Sequence, residues 1–249
     1  MSFVLVHGAG MGASCWDRLV PLLDDLSVAV DLPGRGGRAD VDVRGVTLDD
    51  CARAILDDVE AAGAGEGDDR IVLVAHSFAG VSVPRVMAAL APRLAHVVFL
   101  SAVVPPDGTR VIDQIDPSVR EAVRACIIDG VYHQDRAAAI AMLCNGMTPE
   151  QTEWTADQVI DDSAALLEEQ VDLSGLAADV PRTYVRLSTD HCYTPDLQER
   201  SVGLVGGNVE YLDSGHMAMV SIPEQTAALL NSISASSSMA ATPATTKGK

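Results

Sequence analysis

The sequence predicts an α/β fold: a mostly parallel, doubly wound sheet of about six strands with an inserted helical cap. Two observations support this class. Short runs that are apolar on both faces alternate with stretches of helical periodicity, which is typical of a parallel sheet covered on both sides. One long block of the chain breaks that alternation and has mainly helical patterns. We therefore expect a single sheet, with the block lying over its active edge.

The elements follow one another in a regular order. Apolar runs predict strands at Phe3–Val6, Val28–Val30, Ile71–Ala75, Val97–Leu100, Thr183–Leu187 and Val209–Leu212. The intervening stretches predict helices at Trp16–Leu26, Leu48–Ala62 and Phe78–Leu90, after Pro195 and after Pro223. In such sheets the chemistry lies at the carboxyl ends of the strands, so the loops that follow the strands are where we look for functional residues.

The domain boundaries follow from the same alternation. Residues 1–104 and 179–233 are expected to form the core, and residues 105–178 an inserted cap. The cap contains no convincing strand and three helical stretches, at Pro117–Ile128, Asp135–Leu143 and Pro149–Glu169. A separate small domain of unrelated function is the alternative for this block. Residues 234–249 are rich in Ser, Ala and Thr and are expected to form a flexible, low-complexity tail.

Charge and cysteine content restrict the class of function. The 249 residues carry a formal net charge of −18, which disfavours binding to nucleic acid and to anionic membranes. No apolar run is long enough to span a membrane, and the N-terminal segment lacks the basic region of a signal peptide. The five cysteines show no CxxC pairs, so we expect reduced thiols, a cytoplasmic protein and no metal or other cofactor.

The strongest local motif surrounds Ser77. The run Ile71–Ala75 predicts a strand that leads through His76 into Ser77 and then directly into a helix, the context of a nucleophile elbow. Small residues are required two positions before and after such a serine, because the strand and the helix cross closely there. Here both positions are alanine, Ala75 and Ala79, instead of the usual glycines. A serine that merely caps a helix is the alternative, and partner residues must decide between the two.

A second motif follows the first strand. The segment from His7 to Trp16 contains Gly8, Gly10 and Gly12, and its backbone N–H groups are able to approach a ligand closely. The segment lacks the lysine of a phosphate-binding loop, so an oxyanion hole fits better. Its donors would be the backbone N–H groups of Ala9 and Phe78. A tight strand–helix turn without catalytic function is the alternative.

The partners expected for Ser77 follow the last two strands. Asp190 comes after Thr183–Leu187, and His216 comes after Val209–Leu212. Ser77, Asp190 and His216 thus occur in the order nucleophile, acid, base. His216 would accept the Ser77 proton, and Asp190 would orient the imidazole and stabilise its protonated form. Asp196 and Asp213 remain weaker candidates for the acid.

These motifs together resemble the α/β-hydrolase superfamily. The matching residues are Phe3–Ala9 through Trp16, Ala75–Gly80, Ser188–Asp190 and Gly215–Met219, with a weaker match at Met142–Cys144 and Thr148–Glu150 in the cap. Within the superfamily the chain is most similar to the methylesterase/hydroxynitrile-lyase-like group, which contains small serine carboxylesterases. The resemblance implies the α/β-hydrolase fold, the triad Ser77, Asp190 and His216, and oxyanion donors at Ala9 and Phe78.

Two positions bear on the choice between esterase and lyase. Lyases of this group tend to have threonine where this chain has Gly8, and lysine where it has Met217. Threonine would crowd the oxyanion hole, and lysine would supply a charge for a cyanide leaving group. Gly8 and Met217 instead favour an open hole beside an apolar wall. We therefore expect an esterase, with a lyase or another triad-dependent biosynthetic enzyme as the alternative.

The expected substrate is a small, fairly apolar ester. From the sheet edge and the cap we expect the pocket to be lined by Gly8, Val103, Val104, Met142, Met147, Trp154 and Met217. For each methionine or tryptophan of the cap, ordinary packing is the competing interpretation. A ligand-binding protein on a hydrolase scaffold is a further alternative, although binding alone does not require Ser, Asp and His together. The sequence leaves the oligomeric state open between monomer and homodimer.

Overall fold

A parallel six-stranded sheet forms the centre of the structure, a computed structural model that describes residues 1–241 and their side chains through residue 239. Its strands, numbered in chain order, are β1 (Ser2–Val6), β2 (Leu26–Val30), β3 (Ile71–His76), β4 (Leu94–Leu100), β8 (Arg182–Leu187) and β9 (Asn208–Leu212). They lie in the order β2-β1-β3-β4-β8-β9, and every neighbouring pair is parallel. The predicted α/β class and the six-stranded sheet are therefore confirmed.

Alternating side chains of the inner strands enter two separate cores. In β1, Val4 and Val6 pack into one apolar cluster, and Phe3 and Leu5 pack into the cluster on the opposite face. Helices cover both faces, as the strand pattern predicts. These helices are α1 (Leu48–Ala61), α2 (Val83–Leu90), α8 (Pro195–Val205), α9 (Ala218–Ser221) and α10 (Pro223–Ala241). Within residues 1–241 none of the helices combines the length and the apolar character needed to cross a bilayer.

Two predicted helices are shorter or less regular than expected. Instead of one helix over Trp16–Leu26, the chain makes two 3-10 turns, Ala13–Trp16 and Val20–Leu22, and then enters β2. The segment after Ser77 begins as a 3-10 turn, Ser77–Val81, before α2 starts. Pro21 and Pro84 lie in the first turn of the second 3-10 segment and of α2, respectively. Proline is tolerated only in the first turn of a helix, so each one limits how far the helix extends toward the N-terminus.

The inserted block is mainly helical but also contains a small sheet. Its helices are α3 (Val111–Gln114), α4 (Pro117–Ala125), α5 (Arg136–Leu143), α6 (Pro149–Ala156) and α7 (Ala165–Glu168). The expectation of no strand in the cap was wrong. Strands β5 (Ile127–Ile128), β6 (Val131–Tyr132) and β7 (Asp162–Ser163) form an antiparallel sheet, and with two residues each they are too short to show a periodicity.

The helix predicted over Pro149–Glu169 is divided by β7. It ends at Ala156, and the following chain turns toward the core, where the N–H of Ile160 donates to the Gly10 carbonyl at 3.0 Å. This tertiary bond uses a backbone group that a continuous helix would bond internally.

The last helix extends into the region for which we expected a tail. α10 continues to Ala241, and two of its serines bond to the core: Ser234 Oγ donates to Asp25 Oδ2 at 2.6 Å, and Ser237 Oγ lies 3.3 Å from His96 Nδ1. These bonds order residues 234–241 despite the low complexity of their sequence. Residues 242–249 of the expected tail lie outside the described residues.

Candidate active site

The candidate site lies at one edge of the sheet, where β1, β3, β8 and β9 end. Ala9 follows β1, Ser77 follows β3, Asp190 follows β8 and His216 follows β9. Because the strands are parallel, their carboxyl ends meet along one edge of the sheet. Residues far apart in the sequence are thereby brought together.

Ser77 occupies a sharp turn between β3 and the helix that follows. Its φ of +53° lies in the left-handed region, which a residue with a side chain rarely adopts. The close approach at this turn is tightest at Gly80, where a Cβ would lie 2.4 Å from the Val103 carbonyl oxygen. The turn therefore accepts alanine at positions 75 and 79 but requires glycine at position 80. This strained geometry is the one expected of a nucleophile elbow.

Ser77, His216 and Asp190 form one continuous chain of hydrogen bonds. His216 Nδ1 lies 2.7 Å from Asp190 Oδ2, and His216 Nε2 lies 2.8 Å from Ser77 Oγ. Since a carboxylate only accepts, Nδ1 carries the proton and Nε2 is free to accept from the Ser77 hydroxyl. The structure therefore brings together the three side chains selected from the sequence, with His216 oriented to act as a base toward Ser77.

Asp190 is held by four hydrogen bonds. Besides the bond from His216, Oδ2 accepts from Ser101 Oγ at 2.6 Å, and Oδ1 accepts from the backbone N–H groups of Cys192 and Tyr193 at 2.8 Å each. Burial opposes the charged form, but the proximity of His216 and these donors lower the pKa of Asp190 below its ordinary value. The carboxylate is thus kept ionised and fixed in orientation.

The electrostatic surroundings of His216 favour its protonated form. Burial acts in the opposite direction, yet the Cys192 sulfur and the Asp190 carboxylate raise the pKa of His216 well above its ordinary value. The neighbouring His76 differs: burial and the proximity of His216 lower its pKa to about 3, so it stays neutral. Its Nε2–H donates to the His216 carbonyl oxygen at 3.0 Å, which fixes the His216 backbone.

The loop after β1 is fixed by His7 at the peptide preceding Ala9. His7 Nε2 accepts from the Leu32 N–H at 3.2 Å, so Nδ1 carries the proton and donates to the Gly8 carbonyl at 2.8 Å. Burial and the nearby Arg35 lower the pKa of His7 to about 3, which keeps it neutral. The Gly8 carbonyl and the Ala9 N–H belong to one planar trans peptide and point in opposite directions. His7 therefore determines the direction of the Ala9 N–H.

The expected pocket residues differ in their surroundings. Gly8 lies directly against the nucleophile, since a Cβ there would be 2.6 Å from Ser77 Cβ. The Val103 N–H donates to the Ser77 carbonyl at 2.8 Å, and Met217 is buried directly after His216. Val104 is also buried, but both its backbone groups bond to Ser201 in the core.

The three expected pocket residues of the cap are less clearly part of the site. Met147 is partly buried, and its sulfur accepts a weak hydrogen bond from Thr155 Oγ1 at 3.6 Å. Trp154 packs beneath the Arg18 guanidinium, 5.0 Å from its ring centroid. Met142 is exposed on α5. These contacts agree with ordinary cap packing, the alternative stated for such residues.

The sequence motifs did not point to three residues that bond to the candidate triad or to the loop after β1. Ser101 bonds to Asp190, His76 bonds to the His216 carbonyl, and His7 bonds to the Gly8 carbonyl in the loop after β1. One signal was available for Ser101: a polar residue directly follows the buried strand β4 at the same sheet edge as the other candidates. Its φ of +41° gives it the same left-handed backbone as Ser77.

Comparison with known proteins agrees with the fold. The sequence profile described as "Alpha/beta hydrolase family" matches residues 3–229, so the chain belongs to the α/β-hydrolase family, and the resemblance seen in its motifs is confirmed. The expectation of an enzyme of the α/β-hydrolase class is likewise confirmed.

Some curated relatives and solved structures match over nearly the full chain. The "Probable esterase PIR7A" of Oryza sativa subsp. indica is 29% identical, over 94% of this chain and 96% of its own. An extracellular α/β-hydrolase from a Paenibacillus species superimposes with a TM-score of 0.82 at 21% identity, covering 94% of this chain and 98% of its own. For polyneuridine aldehyde esterase the TM-score is 0.74 at 23% identity, with the same coverage. These two structural matches show the same fold.

Proposed function

We propose that this protein is a serine carboxylesterase that hydrolyses small, fairly apolar esters through a covalent acyl-enzyme. The observation that carries the proposal is the uninterrupted hydrogen-bond chain from Ser77 through His216 to Asp190. The esterases among the relatives of similar length support the same reaction class. All five cysteines are free thiols, which supports the reducing, cytoplasmic setting that we include in the proposal.

The reaction would proceed in two halves. Ser77 Oγ attacks the ester carbonyl carbon while His216 Nε2 accepts its proton, and Asp190 stabilises the imidazolium. The N–H groups of Ala9 and Phe78 bind the developing oxyanion. Collapse of the tetrahedral intermediate breaks the carbonyl–alkoxy bond, and His216 returns its proton to the departing alcohol. His216 then activates a water molecule, which attacks the acyl-enzyme and releases the acid and Ser77.

The residues beside the nucleophile favour hydrolysis over a lyase reaction. Gly8 leaves space against Ser77, and Met217 places an apolar residue next to His216 instead of a charged one. A lyase or another triad-dependent biosynthetic reaction would use the same three residues, so substrate assays must distinguish the two. The acyl pocket is expected to be apolar, with the cap determining its length.

The experiment that tests the proposal is hydrolysis of p-nitrophenyl esters from acetate to octanoate. We compare the wild-type protein with Ser77→Ala, and we use Ser232→Ala as the matched control because Ser232 is exposed on α10. We expect turnover by the wild type and the control, and loss of about 10⁴-fold or more in Ser77→Ala. Equal turnover by Ser77→Ala, or no turnover by a folded wild type, would contradict the proposal. If the wild-type protein cleaves cyanohydrins and does not hydrolyse the esters, the lyase alternative is indicated.

A further inference from the structure

Asp162 of the cap bonds directly to the loop that supplies the oxyanion N–H of Ala9. Its Oδ2 accepts from the Gly10 N–H at 2.5 Å, and the Gly10 carbonyl accepts from the N–H of Ile160 at 3.0 Å. Both polar backbone groups of Gly10 are thus bonded to the segment that leads into β7. The glycine has a φ of +72°, so a residue with a side chain would be strained there.

Asp162 is itself held by a buried ion pair. Its Oδ1 accepts from Arg35 Nη2, and the two side chains are only 5% and 3% exposed, respectively. β7 adds a backbone constraint, because Asp162 pairs with Tyr132 in the cap sheet. Arg35 lies under the loop, since a Cβ on Gly12 would lie 3.8 Å from the Arg35 Cβ. The carboxylate therefore has a fixed position between the cap and the core.

These bonds complete the immobilisation of Ala9. Each residue lies between two peptide planes, and His7 fixes the plane before Ala9 through the Gly8 carbonyl. Asp162 fixes the plane after Ala9 through the Gly10 N–H. The other end of the loop is fixed separately by Asp31, whose Oδ1 accepts from the Ala13 N–H at 2.9 Å. Of these side chains, only Asp162 comes from the cap.

We propose that Asp162, held by Arg35, is a positioning residue that steadies Ala9, and with it the oxyanion N–H, by fixing the peptide after Ala9 through its bond to Gly10. This inference rests on the proposed esterase function for its effect on catalysis. An oxyanion hole works because its donors are already aligned before charge develops on the substrate. Without the carboxylate, the peptide between Ala9 and Gly10 loses its partner, and Ala9 is then held only on its His7 side. The catalytic loss should appear mainly in kcat, since the oxyanion forms only during the reaction.

Two double variants separate the Gly10 bond from the buried charges. In Arg35→Met/Asp162→Asn the ion pair is removed, but the asparagine carbonyl still accepts from the Gly10 N–H. In Arg35→Met/Asp162→Leu the ion pair is also removed, and a side chain of similar size offers no acceptor. Replacing both partners avoids leaving one buried charge alone, which would destabilise the fold by itself. Melting temperatures of the two variants verify that both are folded.

The kinetic comparison uses the best p-nitrophenyl ester. We expect kcat of the leucine variant to be roughly 10–100-fold below that of the asparagine variant, with KM values that agree within about threefold. Inhibition by a trifluoromethyl ketone, which forms an oxyanion on Ser77, should weaken by the same factor. If both variants have the same kcat and the same inhibition constant, the proposal is overturned. A loss confined to KM would also overturn it.

Hydrogen exchange of the Gly10 amide tests the bond independently of activity. By NMR we expect this amide to be protected in the wild type and the asparagine variant, and to exchange at least about tenfold faster in the leucine variant. Equal exchange in the two variants would overturn the proposal. Absence of ester hydrolysis by the wild type would instead refute the proposed function, and the exchange rates would still decide whether Asp162 holds the loop.

Discussion

A methyl group at position 8 should disturb catalysis without disturbing the fold. The Cβ of Gly8→Ala would lie 2.6 Å from Ser77 Cβ, whereas ordinary contacts begin near 3.4 Å, so the two backbones must separate by about 0.8 Å. If Ser77 moves by that amount, the 2.8 Å bond from its Oγ to His216 Nε2 lengthens to about 3.6 Å, which is beyond hydrogen-bonding distance.

The magnitude follows from the cost of misplacing a reacting group. A shift near 1 Å costs about 100-fold in rate, which corresponds to about 2.7 kcal/mol of transition-state stabilisation. The assay measures kcat and KM of Gly8→Ala on p-nitrophenyl acetate, together with its melting temperature. Labelling of Ser77 by a fluorophosphonate should slow in parallel, because that reaction needs the same activated hydroxyl.

The matched control is Gly203→Ala, because a Cβ on this glycine of α8 meets nothing within 4 Å. We expect kcat of the control to equal that of the wild type, and its stability to rise slightly with the better helix former. A kcat of Gly8→Ala within about threefold of the wild type would refute the reasoning. A loss of activity that is fully explained by a smaller fraction of folded protein would also refute it.

Three further outcomes are expected. Asp190→Asn should lower kcat about 10⁴-fold, because an amide cannot hold His216 in the tautomer that accepts the Ser77 proton. The raised pKa of His216 means that the neutral base is reached only at higher pH, so kcat/KM should fall with decreasing pH with a midpoint above 6.5, measured in a pH-stat. A chain truncated after Ile233 should be about 2 kcal/mol less stable than one truncated after Ala241, because the bonds of Ser234 and Ser237 are lost. Calorimetry should show this as a melting temperature lower by roughly 4–8 °C.

Each of these expectations has an outcome that contradicts it. Near-wild-type activity of Asp190→Asn would assign the acid to another carboxylate. A pH profile that is flat between pH 5 and 8 would argue against His216 as the base. Equal melting temperatures of the two truncated chains would mean that residues 234–241 add nothing to stability.

The sequence predicted those parts of the molecule that depend on local patterns. Both the sheet and the order Ser77, Asp190, His216 follow from apolar runs and the residues directly after them, because strand ends determine which side chains share an edge. The positioning residues were not predictable in this way. Ser101 meets Asp190 across 89 positions, and Gly10 meets Asp162 across 152. Such contacts depend on how loops and cap pack, which has no periodicity in the sequence.

The course of the cap was the least predictable part. The small sheet around Tyr132 and Asp162 has strands of two residues, and the break between α6 and α7 arises from a bond to the core at Gly10. The sequence pattern predicts one continuous helix over Pro149–Glu169. The same tertiary bonding explains α10, where Ser234 and Ser237 gain partners on the core that a Ser-rich sequence does not reveal.

The buried pair of Arg35 and Asp162 also ties the cap to the core. Lifting the whole cap would break this pair together with the bond from the Gly10 N–H to Asp162. Helix α4, in contrast, has no buried residue and moves at little cost. Local fluctuation of α4 should therefore leave the contact between Asp162 and the loop after β1 intact.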